Sequence, residues 1–182
     1  MATKPADRQL YEPLLAEGYA LTEDPALDAE KAPRVVFRPK LEEPTPAALA
    51  AQADKFEELL LTVFQQGGWE LYGDEIRYLT TDLKLHKPME LLWLQGRSLG
   101  ISIVVSTQRP VSIPVLAFES ATHLFLSRMT DRLNIQRAAE FAGADMDLVR
   151  FILPRLVRFE FLYIDARTGQ MVRTRAPNPN AR

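Results

Sequence analysis

Cysteine is absent from these 182 residues. That excludes a disulfide framework, thiolate metal ligation and a cysteine nucleophile. Histidine is almost absent: His86 and His123 stand far apart in unrelated contexts, so no histidine-rich metal site takes shape. No stretch approaches the ~18 apolar residues needed to cross a bilayer. The run from Met1 to Arg8 has no apolar core behind it, as a signal peptide would. A soluble, cytoplasmic protein is the expectation. The eight glycines never precede a lysine, so no G-x-x-x-x-G-K-[ST] phosphate loop occurs. Strong charge of either sign is also lacking. The net charge of −2 excludes a globally basic nucleic-acid coat but not a local basic patch.

Apolar residues make up 47% of the chain, enough for a real core. The length fits one domain, or most of one, read here as residues 1–176. Within it, 1–33 is an irregular N-terminal segment with a short helix near Leu10–Leu15, punctuated by Pro5, Pro13, Pro25 and Pro33. Residues 177–182 form a flexible Pro/Asn-rich tail.

Arg34–Arg38 is a β-branched run stopped by Pro39, hence a strand. Thr45-Pro46 then opens a long helix, with threonine as the cap and proline at the first helical position. Leu49, Ala53, Phe56, Leu60 and Phe64 follow at helical spacing, and Gly67-Gly68 ends it. Trp69–Gly73 is a short strand running into Asp74-Glu75. Residues 76–85 read as loop with a helical turn, and Pro88–Arg97 as a helix. Ile101–Thr107 is nearly continuously apolar, the pattern of a strand covered on both faces of a parallel sheet. Pro110 and Pro114 bracket a loop. Ala121–Ser127 is another buried-type strand, and helices over 131–142 and 145–152 follow, separated by Gly143. Val157–Asp165 and Gln170–Arg175 form a hairpin around Thr168-Gly169. Strands alternating with helices predict an α/β fold with a mainly parallel sheet.

In such sheets ligands bind beyond the carboxyl ends of the strands, which points to Asp74-Glu75, Gln108-Arg109 and Ser127-Arg128. Two carboxylates closing a strand suit nucleotide hydrolysis: the first organises magnesium and the second polarises water. The same pair could equally serve the positive end of a helix. Packing does not ask for a polar Gln108 at the end of an apolar strand. Its amide can donate to phosphate and accept from water at once.

Gln95-Gly96-Arg97-Ser98-Leu99-Gly100-Ile101, the apolar strand and Thr107-Gln108-Arg109-Pro110, preceded by the Asp74-Glu75 strand, resemble the FtsK–HerA superfamily of hexameric motor ATPases. Thr122–Arg132 is similar to the family's next strand and the Asp-containing segment behind it. Ala2–Tyr11 is similar to its segment after the second strand, so the resemblance spans nearly the whole chain. It implies a RecA-like P-loop NTPase core with a C-terminal β-hairpin, ATP and Mg²⁺ as cofactors, DNA as partner, and a ring, in this family a hexamer. It assigns Asp74 to the metal through water, Glu75 to activating water and Gln108 to sensing the γ-phosphate. Arg97, Arg132 and Arg128 are candidates for an arginine finger reaching a neighbouring subunit; Arg97 and Arg132 match best. Arg109 and Pro110 shape a turn, and His123 is structural.

The chain departs from that pattern in one decisive respect, the missing phosphate loop, whose backbone amides and lysine would cradle the nucleotide tail. The expectation is an N-terminally truncated ATP-driven DNA translocase that is inactive alone. The alternative is a non-catalytic ATPase-like module that binds a partner motor carrying the loop.

Overall fold

The computed structural model describes residues 1, 8–41, 43–141 and 145–177. Most of the Ala2–Tyr11 motif, Gly143 and nearly all of the tail therefore lie outside the described residues. The chain divides into two units, Met1–Gln108 and Arg109–Arg182.

The first unit opens with helix α1 (Arg8–Ala16) and two short strands, β1 (Ala20–Thr22) and β2 (Val35–Phe37), paired in parallel. The sequence pattern predicts α1 and β2, but reads as loop where β1 forms. The three residues of β1 are too short a run to signal a strand.

Helix α2 (Pro46–Gln66) starts where expected. The Thr45 hydroxyl accepts the Ala48 amide at 3.2 Å, which satisfies one of the unpaired donors of the first turn. Its buried stripe is Gln52, Phe56, Leu59, Leu60 and Val63. That is rotated slightly from the predicted stripe: Leu49, Ala53 and Phe64 are only half-buried. Phe56 meets Phe37 of β2 edge-on, with ring centroids 5.4 Å apart. Gln52 ties two loops to the helix. Its amide nitrogen donates to the Pro39 carbonyl at 3.1 Å, and its amide oxygen accepts the Tyr78 hydroxyl at 2.5 Å.

Gly67 ends α2 at φ 67° and ψ −179°, a region that only glycine occupies without strain. Strand β3 (Glu70–Gly73) follows, then a π-helical turn at Tyr78–Asp82, helix α3 (His86–Gln95) and a 3₁₀ turn at Gly96–Leu99. Strand β4 (Ser102–Val105) lies parallel to β3, with Glu70 opposite Ser102 and Gly73 opposite Val105. α2, the π-helical turn and α3 supply the core, where Leu60, Ile76, Leu79 and Met89 are fully buried.

One expectation fails here. β4 is not covered on both faces: Val104 is 47% exposed, as is its neighbour Tyr72 at 45%. Nor is β4 paired on its second edge among the described residues. The apolar run signals what the strand could bury, and only one face meets a partner here.

In the second unit, a 3₁₀ turn at Pro110–Ser112 and helix α4 (Val115–Glu119) occupy the segment read as loop. Strands β5 (His123–Leu126), β6 (Glu160–Asp165) and β7 (Met171–Arg175) form an antiparallel sheet in that order. Helices α5 (Arg132–Phe141) and α6 (Met146–Ile152) cover one face. Leu126, Ala139, Val149, Leu153, Leu162 and Ile164 form the core between. Asp131 and Asp145 cap the helices: Asp131 accepts the Asn134 amide at 2.9 Å, and Asp145 accepts the Asp147 amide at 3.0 Å. The other sheet face carries Phe125, 64% exposed, against Tyr163 at 5.1 Å between centroids. β5 is thus buried on one face only, a second correction of the same kind. The parallel strands of the first unit and the C-terminal hairpin of the second agree with the sequence pattern.

Candidate functional site

Parallel pairing makes β3 and β4 end at the same edge. Since Gly73 faces Val105, the next residues along the two chains, Asp74 and Ser106, come level, and Glu75 and Thr107 follow. The Ser106 amide donates to the Gly73 carbonyl at 3.0 Å, and the Ile76 amide donates to the Ser106 carbonyl at 2.9 Å. These bonds extend the ladder past the strands proper and fix the loop that carries the carboxylates.

Each carboxylate then meets a hydroxyl from the end of β4. Ser106 Oγ donates to Asp74 Oδ1 at 2.8 Å, and Thr107 Oγ1 donates to Glu75 Oε1 at 2.9 Å. Asp74 and Glu75 are both half-buried. Glu75 has φ 53°, the left-handed region that costs an L-residue about 1–2 kcal/mol. The surrounding bonds offset that cost: besides the Thr107 contact, the Glu75 amide points at Ser106 Oγ, 3.4 Å away.

The Met1 amino group lies on the same strand, donating to the Tyr72 carbonyl at 2.6 Å. Burial lowers its pKa to about 6, against the opposing pull of the Asp74 charge. Gly73 is buried under this contact, and a Cβ there would lie 3.4 Å from the Met1 side chain and 3.6 Å from Val105. Glu70, at the far end of β3, is exposed.

Gln108 stands immediately after Thr107 and is exposed. Asp74, Glu75 and Gln108 therefore gather at one strand edge. Arg97 does not join them. It sits in the turn before β4, at the opposite end of that strand. With about 3.3 Å per strand residue, it is more than ~13 Å away along the sheet. Arg128, two residues past β5, and Arg132, the first residue of α5, belong to the second unit. All three arginines are exposed, and none forms an ion pair among the described residues. His123 contacts the Tyr163 hydroxyl through Nδ1 at 3.0 Å, a packing role.

Two residues of this edge are not singled out by the sequence pattern, Ser106 and Thr107. Their signal is nonetheless present: once β3 and β4 are taken as parallel and level, a Ser-Thr pair falls opposite the Asp-Glu pair.

No group of three or more His, Cys, Asp or Glu side chains that could hold a metal occurs among the described residues. Asp74 and Glu75 fit magnesium nonetheless, because Mg²⁺ commonly takes one or two carboxylates and completes its shell with water and substrate phosphate.

Charge is divided along the chain. Residues 109–182 hold eleven arginines, no lysine and seven carboxylates, net +4. The −2 of the whole chain then leaves −6 for residues 1–108. No helix among the described residues is long and apolar enough to cross a membrane.

Parallel strands flanked by helices, with antiparallel strands in the C-terminal unit, are consistent with a RecA-like NTPase fold. Solved structures agree. The genome packaging NTPase B204 from Sulfolobus turreted icosahedral virus 2, in complex with ATP-gammaS, matches with a TM-score of 0.60 and 14% identity, over 97% of this chain and 94% of that one. Its AMP complex matches with a TM-score of 0.59 and 14% identity, over 96% and 94%. B204 described as the DNA-packaging ATPase from Sulfolobus turreted icosahedral virus matches with a TM-score of 0.59 and 14% identity, over 93% and 88%. At such identity the likeness is one of fold. No family model and no curated protein matches the sequence.

Proposed function

We propose that this chain is the carboxylate-bearing body of a motor subunit that couples ATP hydrolysis to the movement of DNA. The observation that carries the reading is the shared edge of β3 and β4. There Asp74 and Glu75 are held by Ser106 and Thr107 beside the exposed Gln108. In this reading Asp74 organises a Mg²⁺ ion through water, Glu75 takes the proton of the attacking water, and Gln108 senses the γ-phosphate. Magnesium, when bound, neutralises charge on the phosphates. The arginine-rich second unit is the DNA-facing candidate, since guanidinium groups suit phosphate contacts. Arg97, Arg128 and Arg132 are exposed and available to a neighbouring subunit; as the finger acts in trans, the distance of Arg97 from its own site does not count against it. A ring, six-membered by the resemblance, would bring such pairs together.

The reading needs a phosphate-binding loop that is not among these 182 residues. It must come from another segment or subunit. The purified chain should therefore show no Mg²⁺-dependent ATP turnover above background. In an assembly that includes the loop, Glu75→Gln should cut hydrolysis by about 10²-fold or more while sparing nucleotide binding. Robust turnover by the chain alone, or unchanged hydrolysis by Glu75→Gln, sinks the reading.

A second reading, a non-catalytic module that docks on a partner motor, has one observation in its favour. β4 keeps an unpaired edge among the described residues, and the adjoining face exposes Tyr72 and Val104. Such an edge is a template for a partner strand. Cross-linking from position 104 to a loop-bearing partner, with hydrolysis indifferent to Asp74 and Glu75, would favour it over the catalytic one.

A further inference from the structure

We propose that Thr107 is a positioning residue that parks the Glu75 carboxylate against the end of β4. The inference rests on the catalytic reading of Glu75 given above.

Two observations carry it. Thr107 Oγ1 donates to Glu75 Oε1 at 2.9 Å, so one carboxylate oxygen already serves a hydroxyl and the side chain is held against β4. The Glu75 backbone stands at φ 53°, a conformation that persists only where its surroundings impose it. Here the surroundings are the end of β4, through the Ser106 carbonyl, which accepts the Ile76 amide at 2.9 Å, and through Thr107 itself.

The 2.9 Å bond from the Thr107 hydroxyl weakens steeply with displacement and misalignment. Its loss frees Glu75 Oε1 to face water, and while it is made Glu75 stays withdrawn against β4. Ser106 plays the complementary part. Its bond to Asp74 Oδ1 at 2.8 Å leans the two neighbouring carboxylates on separate hydroxyls. They are thereby kept in distinct orientations.

The test uses the purified chain with ¹³C-labelled carboxyl carbons, the Glu75 signal being assigned by its loss in Glu75→Gln. Thr107→Val, nearly the same shape without the hydroxyl, should shift the Glu75 carboxyl signal and leave that of Asp74 in place. Thr107→Ser should restore the wild-type position, and Ser106→Ala should shift Asp74. Mn²⁺ added alone then reads the site. In the wild type it should broaden Asp74 more than Glu75; in Thr107→Val it should broaden both alike. Should Thr107→Val fail to fold, Thr107→Ala against Thr107→Ser makes the same comparison. An unmoved Glu75 signal in Thr107→Val, or a Thr107→Ser signal like that of the valine variant, overturns the proposal. So does Mn²⁺ broadening of Glu75 that is equal in all variants, and in that case the metal reading survives. If Mn²⁺ broadens neither carboxylate in the wild type, the catalytic reading itself falls, and the role given to Thr107 falls with it.

Discussion

Gly67→Ala should unfold the first unit far more readily than Gly68→Ala, although the two glycines are neighbours. At Gly67 the backbone has φ 67° and ψ −179°, which costs a non-glycine residue about 1–3 kcal/mol. An added Cβ would also lie 2.7 Å from the Leu99 carbonyl oxygen. That atom is backbone and cannot swing aside. To make room, Leu99 must retreat, and its bond from the Gly68 amide, now 2.9 Å, is stretched; losing it removes about 1 kcal/mol. The two terms together come to roughly 2–4 kcal/mol. Gly68 also has a positive φ, +69°, but a Cβ there meets nothing within 4 Å, so only the backbone term of about 1–2 kcal/mol applies. Both tryptophans, Trp69 and Trp93, lie in the first unit, so fluorescence during urea unfolding reports on that unit alone. With a slope of about 1–2 kcal/mol/M for a unit of this size, the midpoint should fall by roughly 1–4 M in Gly67→Ala. In Gly68→Ala it should fall by about 1 M. Equal midpoints for the two variants would refute the argument that the Leu99 carbonyl sets the junction. The consequence reaches the site, because Leu99 leads directly into β4, and the far end of β4 holds Ser106, Thr107 and Gln108.

Two further outcomes concern the second unit. Glu160 is held below its ordinary pKa of 4.5, first by the Arg173 side-chain hydrogen bond, then by the Val157 amide and the charges of Arg173 and Arg175. A depressed carboxylate stabilises the fold above its unfolded pKa, and the contribution is lost as pH falls through the folded value. Glu160→Gln should therefore lower the melting temperature at pH 7, and the gap from wild type should close by calorimetry once pH falls below the depressed folded-state pKa of Glu160. A gap that persists at low pH would show that packing, not charge, is responsible. Phe125→Thr should change stability by less than about 1 kcal/mol, since the ring is 64% exposed and threonine suits a strand. The same change should reduce self-association in light scattering; a loss above ~2 kcal/mol would mean the ring is buried in solution.

The local chemistry of the chain is readable because single residues decide it. Thr45-Pro46 and Gly67 set the ends of α2, and both act as their types require. Asp165 accepts the Arg167 amide at 2.9 Å and so builds the turn expected at Thr168-Gly169. The gathering of Asp74, Glu75 and Gln108 at one edge follows from two strands and the rule that parallel strands present their carboxyl ends together. What the sequence hides is relational. Ser106 and Thr107 are ordinary residues until the register places them opposite Asp74 and Glu75. β1 is three residues with no signal of its own, formed only because β2 offers a ladder. Val104 and Phe125 belong to apolar runs that state a capacity for burial, not its fulfilment.

That difference between capacity and fulfilment bears on function. Sheets of parallel strands occur almost only with both faces covered. Here β3 and β4 leave Tyr72 and Val104 at 45% and 47% exposure on one side, and β4 has no second neighbour among the described residues. Covering the exposed half of one such side chain is worth about 1 kcal/mol, so the face favours an additional layer. The catalytic reading asks for the same thing at the same strand, because a phosphate-binding loop must approach the edge where Asp74 and Glu75 end β3. A single added strand and helix on β4 would meet both needs. On the catalytic reading, one partner element seated on β4 would serve both deficits, the open face and the absent phosphate-binding loop. Polar substitution at Val104 should then weaken capture of a loop-bearing partner without disturbing the Asp74–Ser106 and Glu75–Thr107 bonds. A partner that binds Val104→Asp as tightly as wild type would break the link between the two deficits.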